Sequence, residues 1–158
     1  MRLLAALGMP IVVISNQSAI NRRLVTFETL IVITVHLIER IRSEGGRIDA
    51  VYYCPHRPEE ACDCRKPRPG LFYQAAHQLG IQLAGSYLIG DALSDVDAAL
   101  TVGAQPILVL TGRGRAALAA SQGTLSSQVQ VCEDLLAAAR WICDREELAR
   151  AERAETTV

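Results

Sequence analysis

The sequence predicts an α/β fold built on a parallel sheet, and three observations predict it. Short apolar runs of about four to six residues alternate with longer stretches of helical character. Those runs are apolar almost throughout, as strands covered on both faces must be. Polar clusters follow three of them directly, Ser15-Asn16-Gln17-Ser18, Cys54-Pro55-His56 and Gly90-Asp91. In open α/β sheets ligands bind there, outside the carboxyl ends of the strands.

In chain order, residues 3–7 read as the end of a helix stopped by Gly8, and residues 11–14 as a β-branched strand. Residues 26–44 are the longest helix candidate, opened by a Thr26 cap and closed by Gly45-Gly46, although Ile, Val and Thr weaken its intrinsic preference. Residues 48–53 read as a strand and 55–67 as a polar loop. Residues 69–79 read as a helix with proline in its first turn and Gly80 behind it. Residues 87–89 form a strand entering Gly90-Asp91, and residues 94–102 a helix capped by Ser94 and stopped by Gly103. Strands at 107–110 and 129–131 and a last helix over about 133–153 complete the order.

With 158 residues, half of them hydrophobic, the chain is read as one domain over residues 1–158. The net charge is −1 and the basic residues are scattered, so no footprint for nucleic acid is predicted. The apolar run 30–35 is broken by Thr34 and falls far short of the roughly 20 residues a membrane helix needs. The first nine residues hold one Arg and no cleavage-type site, and they flow straight into a strand, which argues against a signal peptide. Five cysteines is an odd number, and three lie within eleven residues beside a histidine. That is poor arithmetic for a disulfide scaffold and good arithmetic for a metal site in a reducing compartment, so a cytoplasmic location is expected.

Four constellations carry chemistry. Cys54, His56, Cys62 and Cys64 offer the four soft or borderline donors that a closed tetrahedral zinc site needs, on a loop stiffened by Pro55 and Pro58. The alternative is a set of free or redox cysteines, though a Cys-x-Cys disulfide closes a very small ring. Arg65 and Lys66 follow at once, a guanidinium fork and a point charge suited to a phosphorylated ligand; the bland reading is two solvated bases. Lys66 is the only lysine, which reflects either a need for a compact ammonium or a general preference for Arg. Asp91 and Asp95 are hard oxygen ligands suited to Mg²⁺, with Asp95 equally readable as a first-turn acid favoured by the helix dipole. Ser15, Asn16, Gln17 and Ser18 place hydroxyls, amides and backbone N–H groups where a phosphate can be cradled, and alone they are a weak signal.

Taken together and in this order, these residues resemble the D,D-heptose bisphosphate phosphatase branch of the haloacid dehalogenase superfamily, which has histidinol-phosphatase relatives. Tyr52-Tyr53-Cys54-Pro55-His56-Arg57-Pro58 and Cys62-Asp63-Cys64-Arg65-Lys66-Pro67-Arg68-Pro69-Gly70 carry the resemblance most specifically. It implies a Rossmann-like domain with an inserted zinc loop over residues 54–67 and a structural zinc on Cys54, His56, Cys62 and Cys64. It further implies Ser15, Asn16, Gln17, Ser18 and Arg65 as substrate-binding residues and Lys66 as the catalytic lysine beside the phosphoryl group. Asp91, with Asp95 as a second candidate, would hold a catalytic magnesium. The expected substrate is a sugar bisphosphate, D-glycero-D-manno-heptose 1,7-bisphosphate losing its 7-phosphate, with histidinol phosphate as the alternative.

The departures from the family pattern are as telling as the matches. The Asp-x-Asp-Gly-Thr motif of the first strand, which supplies nucleophile and acid/base, is absent from the 158 residues. Ala19 stands for a usual glycine, Asn21-Arg22-Arg23 for Ala-Arg-Gly, and Ala92 for a frequent lysine. In the family fold the missing strand lies between the strands at 11–14 and 87–89, so two strand edges are expected to lack partners. A start codon placed too far downstream, a gene remnant and a split protein completed in trans all account for this. The chain is expected to be monomeric unless a second chain supplies the strand, and to show no meaningful turnover, since losing a covalent nucleophile costs on the order of 10⁶-fold elsewhere. A catalytically silent, zinc-stabilised phosphate-binding domain and a metal or redox module are the readings from other classes.

Overall fold

The computed structural model describes residues 1–155 of the chain. The order is α1 (Arg2–Ala6), β1 (Val12–Asn16), α2 (Phe27–Ser43), β2 (Ala50–Cys54), a 3-10 turn (Pro58–Glu60), α3 (Gly70–Leu79), β3 (Tyr87–Gly90), α4 (Leu93–Val102), β4 (Gln105–Val109), α5 (Gly114–Ala120), β5 (Gln130–Cys132) and α6 (Leu135–Glu155). Every strand pair is parallel, as the alternation of strands and helices requires.

The sheet comes in two pieces. β1 pairs with β2, Val12 beside Ala50 through Asn16 beside Cys54, while β3, β4 and β5 form a second ladder in that order. Among the described residues, neither β1 nor β3 has a partner on its remaining edge. Between those edges lies a cavity of about 660 Å³, lined by Val12, Ile14, Ser86, Tyr87 and Ile89 among others. The two partnerless edges anticipated for the strands at 11–14 and 87–89 are therefore present, and they face a common space.

The core sits on the three-stranded side. Ile107, Leu108 and Val109 of β4 are buried, with Ala138 and Ile142 of α6 against one face and Val96, Ala98 and Ala99 of α4 also fully enclosed. By contrast β1 is only half-buried along its whole length, and in β2 Cys54 alone is buried. A strand with an open edge loses cover on its flank, so the same apolar composition gives a dry core in β4 and a wetted wall in β1. Helix α2 forms despite its β-branched residues because Thr26 Oγ1 accepts the Thr29 N–H at 3.2 Å. Thr34 ties its inner face to the Tyr53 hydroxyl at 2.6 Å. Its outer side leaves Phe27, Ile31, Val32, Ile33 and Val35 exposed.

Several boundaries differ from expectation for physical reasons. β1 runs on through Asn16, because Asn16 pairs with Cys54, so Ser15 and Asn16 belong to the strand and the turn starts at Gln17. Helix α4 begins at Leu93 and is not capped by Ser94. Asp95 does that work, its Oδ2 accepting the N–H groups of Asp91 and Ala92 at 3.2 and 3.1 Å. Helix α5 was not expected; its short Ala-rich stretch lies behind Gly112 and Gly114, which punctuate a sequence like loop residues. Gly80 and Gly103 terminate α3 and α4 in the left-handed conformation, as expected.

Because the core lies in the second ladder, Leu108→Ala is expected to cost about 2–5 kcal/mol of stability. Val12→Ala, facing the open cavity, should cost about 1 kcal/mol or less. Chemical denaturation of the two variants checks this, and equal losses would show that the gap is closed in solution.

Candidate functional site

The carboxyl ends of β1, β2 and β3 bring together the residues picked out by the sequence. The zinc loop leaves β2 at Cys54, makes its 3-10 turn at Pro58–Glu60 and reverses at Ala61, which adopts a left-handed φ of 50°. Arg68 holds the reversal by donating to the carbonyls of Ala61 and Cys62. Gly70 is required where the loop returns. Its N–H donates to the Asp63 carbonyl at 3.0 Å, and any Cβ there would lie 2.5 Å from that same oxygen.

The result gathers four donor atoms within 4.8 Å of one another, one each from Cys54, His56, Cys62 and Cys64. The sulfurs stand 3.3 to 3.6 Å apart, and His56 Nδ1 lies 3.2 Å from Cys64 Sγ and 3.6 Å from Cys54 Sγ. Bonds of about 2.3 Å to a tetrahedral zinc would put sulfurs about 3.8 Å apart, so the quartet is preset at nearly the right edge length. Burial pushes up the Cys54 thiol, and burial together with its two thiol neighbours pushes Cys64 up to about 12. Burial also works on Cys62, but hydrogen bonds from Cys64 and Cys54 outweigh it and leave that thiol below its ordinary value. Three thiolates in so small a space repel one another, and a dication is the natural means of holding them together. Four protein donors leave no open position, so a zinc held there would be structural.

Next to this loop stands Lys66, whose ammonium is the junction of the site. Nζ donates to the Ile14 carbonyl at 2.6 Å and pairs with Asp95 Oδ1 at 2.8 Å, with 14% and 8% of the two side chains exposed. Its peptide is clamped as well: Asn16 Nδ2 donates to the Lys66 carbonyl and Asn16 Oδ1 accepts the Lys66 N–H, both at 3.1 Å. Arg65 Nη1 donates to the His56 carbonyl at 3.0 Å, so one edge of its guanidinium braces the zinc loop. Ser15 Oγ accepts from Gln17 Nε2 at 3.0 Å, and the Gln17 N–H joins the Cys54 carbonyl at 2.7 Å. Ser18 opens the turn that follows, its carbonyl accepting the Arg22 N–H.

The two aspartates occupy different environments. Asp95 is buried, with Oδ1 on Lys66 and Oδ2 on two backbone N–H groups. Gly90 makes room for it, since a Cβ there would meet Asp95 Cβ at 2.3 Å. Its carboxylate is thus engaged in positioning Lys66, and Asp91 is the better placed of the pair to receive a cation. Asp91 stands at the end of β3, one-third exposed, with Oδ2 accepting the Arg113 N–H at 2.9 Å and Oδ1 3.3 Å from Arg113 Nη2. Partial burial works to raise its pKa, but the two hydrogen bonds and the positive charge of Arg113 outweigh it and hold the carboxyl below the ordinary range. Magnesium binds through one or two carboxylates plus substrate phosphate, so Asp91 with a phosphate meets the lower limit of that requirement.

Sequence reasoning missed Arg113, Glu60 and the role of Gly112. Glu60 accepts Asn21 Nδ2 at 2.8 Å and the Arg57 N–H, tying the turn after β1 to the zinc loop. Thr111-Gly112-Arg113-Gly114 at the end of β4 is a Gly-x-Gly at a strand terminus, a signal available in the sequence. Among the helical histidines, His36 bonds the Val32 carbonyl and His77 is exposed.

Zinc binding must displace thiol protons, so its apparent affinity is expected to fall as pH falls, with about one zinc per chain at neutral pH. Metal analysis of the purified protein with a competing chelator across pH 5.5–8 checks both. Substoichiometric zinc at pH 8, or affinity rising toward acid, would contradict the four-ligand site.

Comparison with known proteins agrees with this geometry. The HAD-hydrolase-like family matches residues 63–138. A D-glycero-β-D-manno-heptose-1,7-bisphosphate 7-phosphatase from Pseudomonas putida is 39% identical over 137 residues, covering 87% of this chain and 77% of the relative. The protein of that name from Bordetella bronchiseptica is 42% identical over 129 residues, covering 82% and 71%. The crystal structure of the D,D-heptose 1,7-bisphosphate phosphatase from B. bronchiseptica, complexed with magnesium and phosphate, superposes with a TM-score of 0.85 at 38% identity over 91% of this chain and 79% of that one. Matched at 39% and 42% identity over most of its length and superposed at a TM-score of 0.85, the chain belongs to the D-glycero-β-D-manno-heptose-1,7-bisphosphate 7-phosphatase family of HAD-like hydrolases.

Proposed function

We propose that the chain supplies the lysine, magnesium-holding and phosphate-binding parts of a phosphatase acting on D-glycero-D-manno-heptose 1,7-bisphosphate at its 7-phosphate, which turns over only with an aspartate-bearing strand in the gap between β1 and β3. The observation that carries this reading is the convergence of Lys66, Asp91 and the Ser15–Ser18 segment on the carboxyl ends of strands flanking one cavity. The relatives from Pseudomonas putida and Bordetella bronchiseptica bear the heptose name, which favours that substrate over histidinol phosphate. No described helix is long and apolar enough to cross a membrane, and we take the protein to be a cytoplasmic, monomeric, single-domain enzyme that does not bind nucleic acid.

Lys66 would meet the phosphoryl oxygens as a point charge, with Asp95 fixing its ammonium and Asn16 fixing its peptide. Ser15 and Gln17 offer a hydroxyl and an amide to the phosphate oxygens, the backbone N–H groups near Ser18 can add to them, and Arg65 presents the outer edge of its guanidinium to the ligand. Asp91 would hold magnesium, which when bound draws charge from the transferring group. Zinc shapes the loop and takes no part in the reaction. Phosphoryl transfer in this family runs through an aspartate nucleophile and an aspartyl-phosphate. The 158 residues contain no Asp-x-Asp-Gly-Thr, and the gap between β1 and β3 is where a strand carrying it would reach the Lys66 ammonium.

That gap also favours a second reading, a domain that binds phosphate esters without turning them over. Phosphate release from heptose bisphosphate with Mg²⁺, measured beside binding of inorganic phosphate, separates the two. The 158 residues alone should bind phosphate without releasing it from substrate, and Lys66→Met should weaken binding at least about tenfold, as loss of a charge-assisted contact does. Turnover should appear once an Asp-x-Asp-Gly-Thr strand is joined ahead of Met1. Turnover by the 158 residues alone would contradict the mechanism, and continued silence of the extended chain would favour the second reading.

A further inference from the structure

Asp91 is gripped by one fixed contact and one movable one. The fixed contact is the Arg113 N–H on Oδ2, and Gly112 makes it possible: at φ +59° the loop passes so close that any Cβ would lie 2.3 Å from that oxygen. The movable contact is the Arg113 guanidinium, which reaches Oδ1 at 3.3 Å with 75% of the side chain exposed. Among the described residues no other hydrogen bond or ion pair holds that guanidinium, so it can leave without breaking packing. The oxygen it covers is the one left for a metal, because Oδ2 has its backbone donor and Asp95 is engaged by Lys66, Asp91 N–H and Ala92 N–H.

We infer that Arg113 is an exchangeable internal cation at Asp91, one that a divalent cation must displace and that then turns to the phosphorylated ligand arriving with the metal. This rests on the reading of Asp91 as the cation-holding carboxylate. Two consequences follow from charge alone. Without phosphate the guanidinium competes with the metal and weakens its binding. With phosphate present the displaced guanidinium gains a new partner at the rim of the same site, so metal and phosphate reinforce one another. Arg113 is a positioning residue in this account and touches no reacting atom until it moves.

The test uses the zinc-loaded chain and Mn²⁺, an oxygen-seeking ion whose free form is counted by its paramagnetic resonance. Binding is measured with and without inorganic phosphate for the wild type, Arg113→Gln, Arg113→Lys and Asp91→Asn. Arg113→Gln should tighten Mn²⁺ about two- to fivefold without phosphate, the range expected for losing one exposed competing charge, and should shrink the gain that phosphate gives. Arg113→Lys, which keeps the charge, should remain near the wild type. Equal or weaker Mn²⁺ binding by Arg113→Gln, in protein that still holds its zinc, overturns the inference while leaving Asp91 in place. Unchanged Mn²⁺ binding by Asp91→Asn would instead remove the reading of Asp91 on which it stands.

Discussion

The structure depends on where the Lys66 ammonium is held. One of its bonds goes to the Ile14 carbonyl in the two-stranded ladder, and the other to Asp95 at the head of α4 beside the three-stranded ladder. A single buried cation thus spans two pieces of sheet that share no backbone pairing. Burying a charge is costly unless it is paired and hydrogen-bonded, and removing one partner of such a pair typically costs about 3–5 kcal/mol. Here the remaining demands are met, since Asp95 takes two backbone N–H groups on its other oxygen. The pair is therefore held by geometry on both sides, and its direction follows from the loop and helix that carry it.

The zinc loop supplies that geometry on the lysine side. Lys66 lies two residues beyond Cys64, its peptide is locked by Asn16, and its neighbour Arg65 leans back on the His56 carbonyl. Glu60 joins the same loop to Asn21 in the turn after β1. A metal that fixes Cys54, His56, Cys62 and Cys64 consequently fixes the turn after β1 and the lysine together. A loop with so little apolar side-chain volume has no core of its own to do this, and metal coordination can contribute folding free energy outright.

Much of this was legible in the sequence, and the remainder was not for identifiable reasons. The zinc quartet could be read because its donors are close in sequence, and the strands because they are continuous apolar runs. The two open edges followed from a family resemblance. The actual work of Asn16 and Asp95 was hidden, because Asn16 meets Lys66 fifty positions away and Asp95 meets it across two ladders. Local pattern suggested a substrate amide for one and a helix-cap acid or metal ligand for the other. Arg113 was hidden for a similar reason: its main contact is a backbone N–H, made possible by a glycine, and side-chain chemistry gives no sign of it.

The claim that ties these observations together is that zinc, through the loop, sets the phosphate site. Its most direct measurement is the affinity of the full chain for inorganic phosphate before and after a chelator removes the zinc, with the metal then restored. The account predicts a drop of at least about tenfold on removal, as loss of a charge-assisted contact would give, and recovery on re-addition. Phosphate affinity that is indifferent to zinc, in protein shown to gain and lose the metal, would contradict it.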